Sequence, residues 1–544
     1  MIRLFHTVRY LRPVQVADRL RRTLLPFRHL PNLSGQVLLC SRRSILPASP
    51  REGSYDGHSF RFLNHGLPFE GENRWRPEGA DRLWVYNLHY FQYIHSLPPS
   101  RALALISDWI EANKDPAGPG WEPYPIAMRV REWIEWLIGH ADLEPSRLEA
   151  LSANIAIQTE ALARQIEYHL LGNHLLEDAI TLCWAGLSLE GPAAKGWLEK
   201  GHEILKKQLA CQVLQDGTHE ERSPMYQALL AEALLRLAEV AGCSARARAR
   251  EIRTFAEAAG RAMLASLGRF VHPDGDYALF NDCALGIAPT IAELNQRFPE
   301  HLSSPTGTGG GVWRLHDAGY MGWESAAGGY MIYDAGAMGP DHQPGHGHAD
   351  VLSFELSHHG RRVVTDTGVY SYNAGDIRSY DRGTSAHNTL QLDNFEQAEL
   401  WSAFRCGRRP MVLEANLEES EEMLQLAGSY EAPLGSFSTY RHGRNVARTG
   451  GEIRFLDEVN AAGAHTAILR LHLAPGITLG REGSGWNLLD RTSKVASIFG
   501  EGFEWAEGRS PYHPQFGIEV ERASLVARLP FRDRAHASWS ILLH

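Results

Sequence analysis

The sequence predicts an α+β chain of more than one domain, a helical half followed by an antiparallel β half. Three observations predict it. From about Asp81 to Glu300 apolar residues recur at three and four positions, the period of helices that bury one face. After Gly311 the period changes to two, between Gly, Asn and Asp turns, which is the signature of short antiparallel strands. Between the two lies LSSPTGTGGG, residues 302–311, with the composition of a linker.

Taken in order, residues 1–80 read as a basic lead-in. The helical half, residues 81–305, runs through RALALISDWIEANK, AMRVREWIEWLIGHADL, SRLEALSANIAIQTEALARQIEYHL, NHLLEDAITLCWAGLSL, GWLEKGHEILKKQLACQVL, SPMYQALLAEALLRLAEVAG and RARAREIRTFAEAAGRAMLASLG. Helices of this number with short breaks predict a bundle or an α/α toroid. In residues 306–544, GGYMIYDAG, DVLSFELSHHGRRVVTDTGVYSY, HNTLQLDN, EMLQLAGSY, GEIRFLDEVN and HTAILRLHLAPG alternate apolar and polar side chains, as strands of a sandwich or barrel do.

The chain has 544 residues, 44% hydrophobic and 22% charged, which excludes a disordered or fibrous class. A formal charge of −10 argues against a nucleic-acid partner. The imbalance is local, because residues 1–50 carry nine arginines against one acid, Asp18, a net of +8 that leaves −18 for the rest. Such an arm suits an anionic polymer, a membrane surface or the acidic body of its own protein. No apolar stretch follows Met1 to make a secretory signal, and no apolar run is long enough to span a bilayer, so the cytoplasm is the expected location, with the periplasm or cell envelope as the alternative. The six cysteines are far apart without CxxC pairing, as reduced thiols are.

Three constellations carry candidate chemistry. In LLGNHLLEDA, Asn173 and His174 follow Gly172 at a helix start, and Glu177 shares a face with His174. In DGTHEERSPMYQALL, Ser223-Pro224 opens a helix whose first turn holds Tyr226, a proton donor or acceptor, beside Arg222, which can grip a carboxylate. In AMGPDHQPGHGHADVLSFELSHHGRRVVTDTGVYSYN, the run GHGHAD places His346 and His348 among glycines, with Asp366 and His387 on strands downstream. His348, Asp366 and His387 form a two-histidine, one-carboxylate set that zinc accepts. WEPYPIAMRVREWIEW adds Trp121, Tyr124, Arg129 and Arg131 for stacking sugars and countering acid groups, although an aromatic core with a solvated arginine face reads equally well.

GNHLLEDAI, DGTHEERSPMYQALL, GHGHADVLSFELSHHGRRVVTDTGVYSYN and SAHNTLQLDNFEQAELW together resemble the successive signatures of the heparinase II/III-like polysaccharide lyases, which are related to oligoalginate lyases. The resemblance runs from about WVYNLHYF, Trp84 to Phe91, into the middle of the β half, and is thinnest over residues 1–80 and the last hundred or so. It implies an incomplete α/α toroid followed by an antiparallel β-sandwich, with a cleft between them. It further implies that Asn173 and His174 face a uronate carboxylate, Tyr226 exchanges protons with the sugar and His346 serves as base. By the same resemblance zinc, in a structural role, sits on His348, Asp366 and His387, and Glu177 lies near the site. Arg222, Arg378, Arg129, Tyr124 and Trp121 complete the expected substrate contacts. The expected partner is an anionic polysaccharide, and a homodimer is compatible with the sequence.

The expected reaction is β-elimination. The hydrogen on C5 of a uronate, α to the carboxylate, leaves while the bond to O4 breaks. Neutralising that carboxylate stabilises the enolate-like charge, and loss of one such donor costs roughly 100- to 1000-fold in rate. His346 and Tyr226 divide the proton transfers, or Tyr226 performs both. The alternatives are a uronyl C5-epimerase, a toroid hydrolase using Glu122 with Asp216 or Glu220, and a non-catalytic polysaccharide-binding or assembly protein.

Overall fold

The computed structural model describes residues 2–31, 33, 54–140, 142–301, 310–420 and 423–544. Most of the expected linker, 302–309, and residues 34–53 of the basic lead-in lie outside them. Packing divides the chain into two units, one of Arg12–Val213 with Ala228–Met263, the other of Met1–Leu11, Leu214–Gln227 and Leu264–His544. The switch from helix to strand falls where the sequence puts it, but packing draws a different line. Phe270, Ala278 and Phe280, from the end of the helical half, share one buried core with Trp313, Leu315, Tyr320, Tyr330 and Ile332.

Two helices begin the chain, α1 (Ile2–Val8) and α2 (Pro13–Leu24), and a small sheet follows of β1 (Ser54–Tyr55), β2 (Ser59–Phe62) and β3 (His65–Pro68). The toroid helices are α3 (Arg82–Tyr90), α4 (Pro99–Ala112), α5 (Pro123–Gly139), α6 (Pro145–Arg164), α7 (Gly172–Ser188), α8 (Pro192–Gln212), α9 (Pro224–Gly242) and α10 (Ala249–Leu267). Pro at the first position opens α4, α5, α6 and α8, where its missing N–H costs nothing. α5 packs on α3, α6 and α7, and α7 packs closely on α8. That approach needs glycine, because a Cβ on Gly201 would lie 2.8 Å from the Cys183 nitrogen. Nearly every residue of α5 and α7 is buried, so charges on α5 are paired inside: Arg131 with Glu177 at 2.7 Å, His95 with Glu132 at 2.8 Å, and Arg236 with Glu135.

The second unit holds the short α11 (Ile291–Arg297), two large antiparallel sheets and a two-stranded one. The five-stranded sheet runs in sequence order, β4 (Gly311–Leu315), β5 (Tyr320–Glu324), β6 (Tyr330–Asp334), β7 (Phe354–His358) and β8 (Arg361–Val364). After α12 (Asp376–Arg382) come β9 (Leu390–Leu392), the pair β10 (Leu400–Trp401) and β11 (Arg405–Cys406), and then β12 (Met411–Glu419), β13 (Leu424–Leu434), β14 (Ser438–Thr449), β15 (Glu452–His472), β16 (Ile477–Glu482), β17 (Gly485–Asp490), β18 (Ser493–Glu501), β19 (Glu504–Tyr512) and β20 (Val520–Leu543). The large sheet has the order β12-β13-β14-β15-β20-β18-β17-β16, with β9 on β15 and β19 on β20. In β13 every second residue is buried, Leu424, Leu426, Gly428, Tyr430, Ala432 and Leu434. These side chains meet Trp323, Tyr333 and Leu356 of the smaller sheet in one core, which makes the two sheets a sandwich.

Candidate active site

In the β-rich unit, the start of α9 and the GHGHAD loop meet on Asp282. Ser223 Oγ accepts from the Tyr226 backbone N–H at 3.3 Å, a helix cap, and donates to the Asp282 carbonyl at 2.6 Å. The Asp282 N–H donates to the His346 carbonyl at 3.0 Å, and the His348 N–H to the Asn281 side chain at 3.0 Å. Gly347 must be glycine, because a Cβ there would collide with the Met338 carbonyl oxygen. The loop is therefore held by its backbone before any side chain acts.

Asp282 is fully buried and serves three cations or imidazoles: His346 Nδ1 at 2.7 Å, His348 Nε2 at 2.9 Å and Arg378 Nη2 at 2.8 Å. Burial works to raise its pKa, but the Arg378 charge and the hydrogen bonds from both histidines and Arg378 outweigh it and hold the carboxyl well below its usual range. A carboxylate only accepts, so His346 Nδ1 carries a proton toward Asp282, while its Nε2 lies 3.7 Å from the buried Glu221 carboxyl. The His346 ring lies 4.2 Å from that of Tyr226, centroid to centroid, and the Tyr226 hydroxyl is 3.1 Å from that of Tyr372. Tyr372 is itself buried, which with the Asp282 charge pushes its pKa well above 10, so it remains a neutral hydrogen-bond partner for Tyr226.

The same logic fixes the second histidine of the loop. His348 donates through Nε2 to Asp282, and His387 donates through Nδ1 to Asp366, at 2.9 and 3.0 Å from its two oxygens. The atoms left over, His348 Nδ1 and His387 Nε2, are buried without a hydrogen-bond partner, and so is Asp350 Oδ2. His348, Asp350 and His387 each offer a ligand atom, all within 4.8 Å of one another. Two imidazoles and a carboxylate, with carboxylates behind both imidazoles, fit zinc. The expected third ligand, Asp366, has its oxygens on the Nδ1 of His387, while the group of mutually close ligand atoms contains Asp350.

The helical unit holds the other expected pair. Leu171 at φ 64° and Gly172 at φ 54° turn the chain into α7, so Asn173 and His174 stand in its first turn. A non-glycine residue in that conformation is strained, and here it immediately precedes the helix start that carries Asn173 and His174. The His174 Nδ1 is 2.9 Å from Glu167, whose carboxyl is held down by His174 against the effect of burial, and the Tyr124 ring packs 4.7 Å from the imidazole. The helix N-terminus, an amide and a partly exposed imidazole together suit a carboxylate.

Several expected substrate contacts are built into the structure instead. Arg129 is buried, donates to the His89 and Gly120 carbonyls and to Gln158, and lies 3.9 Å over the Trp109 ring, so no face remains for a sugar acid. Trp121 is buried with its indole N–H on the Asn113 carbonyl. Glu177 pairs with Arg131 inside the helical unit, and Arg378 is buried on Asp282. The Arg222 guanidinium reaches the carbonyls of Ala337 and Asp317. The hydrolase carboxylates are engaged as well: Asp216 accepts from the backbones of Thr218, Asp317 and Ala318, and Glu122 from Arg82 and Tyr86. Sequence reasoning missed Asp282, Glu167, Asp350 and Tyr372. The last two lie inside the GHGHAD and GVYSYN motifs and were within reach, whereas Asp282 has no spacing to connect it to them.

The family models for the heparinase II/III N-terminus and for the heparinase II/III-like C-terminal region match residues 75–301 and 307–539. The heparin-sulfate lyase of Bacteroides thetaiotaomicron is 24% identical over 371 residues, 58% of this chain and 52% of that protein. That of Pedobacter heparinus is 26% identical over 322 residues, 53% and 47% of the two chains. The chain thus spans about half the length of the curated relatives it matches. A crystal structure of heparinase III aligns over 98% of this chain and 85% of its own at 18% identity with a TM-score of 0.70, and heparan sulfate lyase HepC from Pedobacter heparinus over 97% and 87% at 17% with a TM-score of 0.59. At such identities these structures speak to the fold, a helical toroid and a β-sandwich.

Proposed function

Because the chain belongs to the heparinase II/III-like family, we propose that it is a polysaccharide lyase that cleaves an anionic, uronate-containing polymer by β-elimination. The observation that carries this reading is the pairing of Tyr226 with a His346 whose Nδ1 is committed to the ionised Asp282. Elimination needs a base for H5, an acid for O4 and neutralisation of the C6 carboxylate. His346 Nε2, 3.7 Å from Glu221, takes H5, and the Tyr226 hydroxyl, hydrogen-bonded to Tyr372, delivers a proton to O4. Rings packed at 4.2 Å act from one side of a bound sugar, which favours syn elimination. Asn173 and His174, at the N-terminus of α7, bind the carboxylate and the negative charge that grows on it. The heparin-sulfate lyases among the relatives point to a glycosaminoglycan as the first polymer to try.

His348, Asp350 and His387 would hold a zinc in this reading, and it would supply a crosslink rather than an activated water. The chain's own contribution is to present His346, two residues before a ligand, at a fixed angle. The test is incubation with heparan sulfate, hyaluronan, alginate and polygalacturonate. The expected outcome is an ultraviolet absorbance from the 4,5-unsaturated end. Reducing ends without absorbance would make it a hydrolase, solvent deuterium at C5 without cleavage an epimerase, and binding without chemistry a scaffold.

A further inference from the structure

Helix α2 is inside out. A helix docked on a protein normally turns its apolar stripe inward. In α2 the buried residues are Gln15 and Asp18, and the contacts to the body are polar. Gln15 donates to the Leu170 carbonyl, Arg19 to the His169 carbonyl at 3.4 Å and Arg22 to the Ile166 carbonyl at 3.0 Å, while Asp18 accepts from the His169 N–H at 3.1 Å and holds Arg21 and Arg22. The opposite arc, Pro13, Val16, Ala17, Leu20 and Leu24, is exposed along its length, with Leu20 at 59% and Leu24 at 76%. Exposed Arg12 and Arg21 lie at its ends and flank, Arg28 follows it, and Asp18, the sole acid in residues 1–50, is covered.

We propose that this arc of α2 docks the protein on an anionic lipid surface, its leucines in the acyl boundary and Arg12, Arg21 and Arg28 among the headgroups. The proposal is independent of the catalytic reading. A membrane interface is the partner that answers both features, since it covers apolar side chains and supplies negative charge. Pairing two identical arcs of a second copy would cover the leucines but set cationic rims together with no exposed acid between them. An anionic polysaccharide would pair the arginines yet leave Leu20 and Leu24 in water.

The experiment is cosedimentation of the full chain with vesicles of phosphatidylcholine, and of equal parts phosphatidylcholine and phosphatidylglycerol. Binding is expected to the second and not the first, to weaken with added salt, and to fall at least tenfold, in rough terms, in a Leu20→Glu/Leu24→Glu variant. That variant should keep its melting temperature and its activity on free polymer, because both leucines face water. Phe437→Glu, at an apolar residue 98% exposed in the β-rich unit, should bind vesicles as the parent does. No preference for anionic vesicles, undiminished binding by the leucine variant, or a leucine variant that instead changes the oligomeric state or loses affinity for heparin beads would each overturn the proposal.

Discussion

Two buried aspartates in the β-rich unit have nearly the same company and different consequences. Asp457, on β15, accepts from His442 Nε2 at 2.7 Å, Arg444 Nε at 2.7 Å and the Trp539 indole at 2.8 Å. Asp282 accepts from His346, His348 and Arg378. Both carboxyls are pushed below their usual range by an arginine and by histidine hydrogen bonds, against burial. The difference lies on the far side of each imidazole. His442 is enclosed in the sandwich core with the Tyr430 ring edge-on at 5.4 Å, so its second nitrogen meets nothing reactive. His346 packs on the Tyr226 ring with its second nitrogen 3.7 Å from Glu221, and His348 turns its own toward His387 and Asp350. An Asp–His–Arg hub is thus a structural device in itself, and function begins where the second nitrogen is left for something else.

The largest effect should come from breaking both hubs in the same way. Asp282→Asn leaves Arg378 without its counter-charge and offers His346 an amide that no longer dictates its tautomer. A fall in kcat of about 1000-fold is expected, with a stability loss of about 3–5 kcal/mol. Asp457→Asn should cost comparable stability and leave kcat within about twofold, because its histidine reaches no substrate. Kinetics on a cleaved polymer and denaturant unfolding of both variants check this. Equal losses of kcat would erase the distinction.

Next in size is the tyrosine packed on His346. Tyr226→Phe removes the proton that O4 needs and should lower kcat by about 100- to 10000-fold at nearly unchanged stability. Tyr372→Phe removes only a neutral hydrogen bond to that hydroxyl. An effect of about tenfold is expected, with a shifted pH optimum, since one hydrogen bond contributes about 1 kcal/mol. A Tyr372→Phe loss as large as that of Tyr226→Phe would move the acid's role to Tyr372.

The hub comparison also explains what the sequence made legible. The change of hydrophobic period near Gly311 follows from local spacing, which is what a sequence displays, whereas the different roles of His346 and His348 inside GHGHAD come only from the resemblance to the heparinase II/III-like family. Asp282 and Asp457 are drawn to their histidines by tertiary packing, across sequence gaps of 64 and 15 residues, so no local pattern announces them. Arg129, Trp121 and Arg378 show the converse error. Their types suit sugar binding, but a guanidinium with all its donors taken and a ring with its N–H bonded inward are core residues whatever their chemistry could do elsewhere. Asp350 and Asp366 pose a related problem, since a ligand and the carboxylate behind a ligand are alike in sequence.

That last pair separates cleanly. Asp350→Asn should abolish stoichiometric zinc in the purified protein, whereas Asp366→Asn, which only loosens the orientation of His387, should weaken zinc by about 10- to 100-fold and leave it measurable. Metal analysis and competition with a chromophoric chelator read both, without reference to activity. Treatment with a strong chelator should lower the melting temperature of the parent and scarcely that of Asp350→Asn. The reverse order of zinc affinities would restore Asp366 as the ligand.

The smallest effect is confined to acid. Asp457 has a folded pKa below its unfolded value, with burial opposing and Arg444 and His442 prevailing. Such a group contributes stability above its unfolded pKa, near 4 for an aspartate, and that contribution fades as pH falls toward the folded value. Nothing should change between neutrality and about pH 5. Below that, one carboxylate adds at most about 1.4 kcal/mol per pH unit to the slope. Asp457→Asn should therefore unfold with a shallower dependence on pH below about 4 than the parent, by that amount or less, and run parallel to it above. Urea midpoints across the acid range measure the slopes. Parallel lines throughout would mean that Asp457 titrates in the folded protein as it does in the unfolded chain, and the hub would then hold its histidine by shape rather than by charge.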